Sequence, residues 1–230
     1  MRQVLTKLAY RFLRWRGSKG SRPNSNDIIT TASAWDYAEA DKQDWSGEPD
    51  PERLSKAIAM RGTDWPAAIA EFRALAALGS PRALDQLGEA YYWGRGLPCD
   101  RSKGERWFQC AYEAGSRRGL LNYGKALFAR HELDAAARVF AVGIQQRWGP
   151  AYYWTARIEG NRPGSLCMRT RRAMPWLVRA ASMGSPDARG SLGVLMMLGF
   201  YGSRRRKRGK QLVDKTLAAL KAQVAAKLAE

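Results

Sequence analysis

The five residues Ala77-Leu78-Gly79-Ser80-Pro81 read as the end of one helix and the start of the next. Gly supplies the left-handed backbone that closes a helix without a Cβ clash. Ser can accept a hydrogen bond from the free N–H groups of the helix that follows. Pro lacks the N–H that is unpaired at a helix start anyway. A connection that short makes the two helices antiparallel and packed. Three further stretches carry the same signature: Ala114-Gly115-Ser116, Trp148-Gly149-Pro150 and Met183-Gly184-Ser185-Pro186. The glycines stand at 79, 115, 149 and 184, in steps of 36, 34 and 35 residues. A near-constant period of this size is the mark of a helical repeat array.

A second set of glycines keeps register with the first. Gly88, Gly124 and Gly193 each follow a turn glycine by nine residues. Glycine inside a helix costs about 1 kcal/mol relative to alanine. Its recurrence implies that a neighbouring helix approaches closely there. Ala83, Ala90, Ala126 and Ala188 on the same helices fit tight packing.

Between the paired helices, Tyr91-Tyr92-Trp93-Gly94-Arg95-Gly96 leads through Pro98 to Asp100. Glu105-Arg106-Trp107-Phe108 then opens a second helix, which ends in Tyr112-Glu113-Ala114-Gly115. Trp176 to Gly184 repeats that ending. These residues resemble the Sel-one-like repeat family, relatives of the tetratricopeptide repeats. The resemblance covers about residues 65–203, and is strongest over 80–115 and 173–200. Residues 116–150 have a shortened loop at Arg130-His131-Glu132. Residues 150–172 depart from the pattern. Ile158 stands where the in-helix glycine is expected, and Asn161 to Thr170 reads as an irregular basic loop. The resemblance implies an all-α fold, an antiparallel helix-pair solenoid. It also implies a scaffold that binds another protein, as adaptors do in bacterial signalling, envelope or exopolysaccharide regulation.

The coarse helices are 66–78, 81–94, 103–114, 118–129, 133–147, 150–158, 171–183, 187–199 and 206–228. The last carries Leu212, Val213, Leu217, Leu220 and Val224 on one face, and reads as the C-terminal capping helix a solenoid needs. Four segments follow: a basic amphipathic arm and linker (1–25), an acidic, partly ordered stretch (26–63), the repeat domain (64–203) and the basic capping helix (204–230).

Lys and Arg number 39 against 21 Asp and Glu, a formal net charge of +18. Such an excess favours acidic partners: nucleic acid, anionic lipid or an acidic protein face. Cys99, Cys110 and Cys167 are odd in number and fit no zinc spacing, which suggests reduced thiols in a cytoplasmic protein. No stretch approaches the roughly 20 apolar residues of a membrane span. Lys7, Arg11, Arg14 and Arg16 interrupt any apolar signal core. The expected location is the cytoplasm, extending to the inner face of the membrane.

Catalysis needs convergent polar groups. His131 is the only histidine and reads as a surface residue at a turn. Gly94-x-Gly96 runs into Leu97-Pro98 rather than a phosphate-binding helix start. Neither an enzyme, a cofactor, a metal nor a small-molecule substrate is expected.

The candidate contacts are therefore for macromolecules. Tyr91, Tyr92, Trp93, Tyr123, Tyr153 and Trp154 come at matching places in three successive first helices. Most read as core, with some available on the concave face as partner anchors, since aromatics dominate binding hot spots. Arg204, Arg205, Arg206, Lys207 and Arg208 form a run for an acidic partner or for solvent. Arg169, Arg171 and Arg172 form a smaller basic group. In the arm, a helix over residues 1–16 would set Leu8, Phe12 and Trp15 beside Arg11. It could lie on an anionic bilayer, dock on a partner, or fold back on the chain's own acidic residues 36–52. A protein partner is the first expectation. Nucleic acid on the basic surfaces and peripheral membrane attachment through the arm are the alternatives.

Overall fold

The computed structural model describes residues 34–43, 48–200 and 205–229. The arm residues Leu8, Arg11, Phe12 and Trp15, and Arg204 of the basic run, lie outside them. Among the described residues there are eleven α-helices and no strand. They are α1 (Ala34–Asp41), α2 (Pro51–Met60), α3 (Trp65–Ala77), α4 (Pro81–Trp93), α5 (Arg101–Glu113), α6 (Arg117–Ala129), α7 (Leu133–Gln145), α8 (Gly149–Asn161), α9 (Leu166–Ser182), α10 (Pro186–Met197) and α11 (Arg206–Ala229). From α2 to α7, and again from α8 to α11, each helix packs on the next in the chain as in a helical solenoid, while α1 packs on α6. Two compact units result, one running to Trp148 and one starting at Gly149.

Local chemistry sets the helix starts. Asp50, Asp64, Ser80, Asp100, Ser116, Ser165 and Ser185 each accept a hydrogen bond from a backbone N–H in the first turn of the following helix. Gly79, Gly115 and Gly184 take the left-handed conformation, with φ of 86°, 85° and 104°. The third turn is built differently from the expectation. Its left-handed residue is Arg147, at φ 53°, and Gly149 is the first residue of α8. The structural period is therefore 79, 115, 147, 184. Nine residues on from Arg147 lies Ala156, which is buried, so Ala156 and not Ile158 takes the in-helix glycine's place. The irregular loop is also shorter than expected, because α9 begins at Leu166.

In the unit ending at Trp148, the pairs are α2–α3, α4–α5 and α6–α7. The first helix of the first pair, α2, falls in the acidic stretch. Leu54 and Ala57 of α2 join Ile69, Phe72 and Leu75 of α3 and Leu87 of α4 in one apolar cluster. The in-helix glycines admit aromatic side chains from the second helices. A Cβ on Gly88 would lie 2.4 Å from Phe108, and one on Gly124 2.6 Å from Phe140. In the unit from Gly149, the pairs are α8–α9 and α10–α11. A Cβ on Gly193 would lie 2.9 Å from the carbonyl oxygen of Gly209, so α10 and α11 cross backbone to backbone. Val213 is buried at that crossing, the expected cap contact.

Candidate functional site

The first helices α4 and α6 lie side by side, and α1 packs on α6. The contact is built from polar side chains. Arg118, two residues after the N-cap Ser116, reaches α1 and grips Asp41 with two bonds, Nε to Oδ1 at 2.6 Å and Nη2 to Oδ2 at 2.9 Å. Its third nitrogen bonds Glu89 of α4 at 3.3 Å. One turn further along α6, Asn122 accepts from the Tyr37 hydroxyl at 3.0 Å and donates to Asp85 of α4 at 2.9 Å. Lys125 donates to the same hydroxyl at 3.0 Å, and its ammonium lies 4.8 Å from the centre of the Tyr37 ring. Asp85, Asn122 and Lys125 are all buried.

The segment after α1 adds two clips. Gln43 donates to the Gly115 carbonyl at 2.9 Å and accepts from the Arg117 amide at 2.7 Å, so it spans the α5–α6 turn. Glu48 accepts from the Ser80 hydroxyl at 2.6 Å, at the start of α4. Asp41 and Glu48 of the 36–52 stretch thus lie against the repeats.

The electrostatics follow from burial among charges. Loss of water around the Tyr37 hydroxyl, with Glu89 and Asp85 nearby, pushes its proton affinity well above the ordinary phenol range. Burial raises the Asp85 carboxyl, and Glu89 adds to the effect against the opposing pull of Arg118 and Asn122. Burial works against the Arg118 charge, yet Asp41, Asp85 and Glu89 together hold it more basic than usual. Burial makes Arg61 less basic, and Arg118, Arg95 and Arg82 are close enough to add to that. The face of α4 and α6 therefore sets arginines around the acids Glu89 and Asp85 and a buried polar row. It can recognise a carboxylate and a phenol on one helix.

The expected anchors lie elsewhere. Tyr92 and Trp154 are 1% and 0% exposed, so they are core and have no surface to offer a partner. The aromatic residues also do not stand at matching places. Tyr91, Tyr92 and Trp93 come at the end of α4, Tyr123 in the middle of α6, and Tyr153 and Trp154 early in α8. Tyr91 accepts from Arg73 of α3 at 3.0 Å and has Lys103 of α5 over its ring. Trp93 packs edge-on against Tyr92, and Tyr123 lies 5.9 Å from Tyr112 of α5. Tyr153 is half-buried beside Trp154. Arg205, Arg206, Lys207 and Arg208 are exposed together at the start of α11. Arg169 and Arg172 have a local role, donating to the Gly160, Arg162 and Pro163 carbonyls at the end of α8. His131 is an exposed left-handed turn residue at φ 64°.

The residues of the polar row escaped sequence reasoning. Their signal was Asn122 and Lys125 inside Leu120-Leu121-Asn122-Tyr123-Gly124-Lys125-Ala126-Leu127-Phe128, a run otherwise suited to a core. Among the described residues, no cluster of His, Cys, Asp or Glu is placed to hold a metal, and no helix is long and apolar enough to cross a membrane.

No family model and no curated protein matches the chain. Among solved structures, a Sel1 repeat protein from Oxalobacter formigenes aligns over 95% of this chain and 88% of its own, with a TM-score of 0.61 at 18% identity. The chain has the Sel1 repeat fold. A protective antigen of uropathogenic Escherichia coli displaying an SLR fold also aligns, with a TM-score of 0.38 at 15% identity, over 95% of this chain and 54% of its own. In Sel1 terms, α4–α5 and α6–α7 are successive repeats, and the polar row runs across their first helices.

Proposed function

We propose that the chain is a protein-interaction scaffold, an adaptor that takes a partner on the first-helix face of its repeats. Stacked helix pairs offer an extended surface whose neighbouring first helices read a segment laid across them. The observation that supports this most is the docking of α1. A helix already lies on that face, held by Arg118, Asn122 and Lys125. The half-buried Tyr91, Trp93, Tyr123 and Tyr153 remain candidates for additional contacts at the margins of the array. Action in the bacterial cytoplasm or at the inner face of the membrane, in signalling, envelope or exopolysaccharide regulation, belongs to the same reading. There the arm at Leu8, Arg11, Phe12 and Trp15 provides the attachment.

A second reading rests on the net charge of +18 and the exposed cations Arg205 to Arg208. These would bind nucleic acid through phosphate contacts, with steep salt dependence. Co-purification of the tagged full-length protein from its own host, with nuclease in the lysate, separates the two. The scaffold reading expects a discrete protein that survives nuclease. Loss of every partner on nuclease treatment puts nucleic acid first.

A further inference from the structure

We infer that the α4–α6 face receives an acidic, tyrosine-bearing helix of a protein partner, and that α1 is the chain's own stand-in for that ligand. The inference rests on the scaffold reading and specifies its site.

Charge complementarity comes first. The receiving face carries Arg61, Arg82, Arg95 and Arg118 around the acids Asp85 and Glu89, and Arg118 meets Asp41 of α1 at 2.6 Å. The docked helix Ala34-Trp35-Asp36-Tyr37-Ala38-Glu39-Ala40-Asp41 brings three acids and no base. The kind of contact comes second. The apolar cluster of α2, α3 and α4 has no residue of α1 in it, although α1 itself buries Ala40 and Asp36. The hydrogen bonds that join α1 to the repeats are a bidentate ion pair, a shared hydroxyl and the Gln43 clip. Polar contacts of this kind are remade readily by a competitor, whereas interdigitated core is not. An eight-residue helix also has no stability of its own, so α1 is helical only while docked.

The third observation is a defect in the fit. Asp85 is fully buried, yet its Oδ2 has no hydrogen-bond partner. A buried carboxyl oxygen left unmet costs free energy. A partner helix with a polar side chain beside its tyrosine, placed to bond that oxygen, would satisfy Asp85 as well as Asn122, Lys125 and Arg118. It would then outcompete α1 despite the advantage of attachment in the same chain.

The test uses a fluorescent peptide of residues 34–43 as the probe and full-length protein throughout. Wild type, with its face occupied, should bind the peptide poorly. The double variant Tyr37→Ala with Asp41→Ala should bind at least about tenfold more tightly, and adding Arg118→Glu should abolish the gain. Equal affinity of wild type and double variant overturns the proposal. So does an equal gain for a single-stranded oligonucleotide, which would mark mere attraction of polyanions. Native-state hydrogen exchange on the wild type decides the matter even where the variants fold poorly. The α1 amides should exchange at least about tenfold faster than those of α4. Exchange of both only through one common unfolding makes α1 a structural part of the domain and sinks the idea. A failed co-purification would remove the scaffold reading but would leave these two readouts unchanged, so the two failures are distinguishable.

Discussion

Arg147 does at one turn what glycine does at the other three. It takes φ 53°, where Gly79, Gly115 and Gly184 sit at 86°, 85° and 104°. A side chain in the left-handed region costs on the order of 1–2 kcal/mol, part of which returns through the lower entropy of a non-glycine residue in the unfolded chain. Arg147→Gly should therefore stabilise the protein by up to ~1 kcal/mol, read as a higher urea midpoint. A lower midpoint would mean that the Arg147 side chain makes contacts worth more than the strain. Asp85 gives a pH dependence. Its folded carboxyl is raised to about 7, above the ordinary aspartate value of about 3.9. The protonated form is thus favoured in the folded state. The contribution is whole below the unfolded value and is lost as pH rises through the folded one. Urea midpoints should fall between pH 5 and pH 8.5 in wild type, and Asp85→Asn should reduce that fall. An unchanged fall would assign the pH dependence to other groups.

At the level of elements, helix ends were legible and helix pairings partly so. Ser80, Ser116 and Ser185 announced their caps because a serine after glycine has one efficient use there. The same rule misplaced the third turn. Trp148-Gly149-Pro150 contains a glycine, but the chain turns at Arg147, and a strained arginine leaves no compositional trace. The in-helix glycines were read correctly as close approaches, since nothing else repays a glycine in a helix. Helices α1 and α2 carry weak signals of their own: α1 is eight residues long with three acids, and α2 is ten residues with two buried apolar positions, Leu54 and Ala57. Ser80 carries two roles, capping α4 and donating to Glu48. Ser80→Ala should cost about 1–2 kcal/mol by denaturant titration. It should also speed exchange at the Arg82 amide, which Glu48 accepts from at 3.3 Å. A loss under about 0.5 kcal/mol would show that Glu48 alone suffices as the cap.

Over the whole molecule, the fold was readable from a period and the binding face was not. A period survives substitution of many residues, because it needs only a turn and a close contact every 32 to 37 positions. A binding face needs particular residues from distant places. Tyr37 and Asn122 are 85 positions apart, and Asp85 and Asn122 37 apart. Aromatic residues drew attention as anchors, yet Tyr92 and Trp154 serve the core. The polar row on α4 and α6 emerged only when the helices were placed side by side. The charge excess remains available for steering acidic partners towards the molecule.

A photo-reactive residue placed at one of three positions, in full-length protein expressed in its own host, locates the partner. Position 82 lies on the first-helix face at α4, position 106 on the exposed side of α5, and position 207 in the basic run. Illumination should yield a discrete protein adduct at position 82, absent at 106 and 207 and unaffected by nuclease. Adducts confined to position 207, or adducts that nuclease removes, would move the binding surface off the repeats and end the scaffold reading.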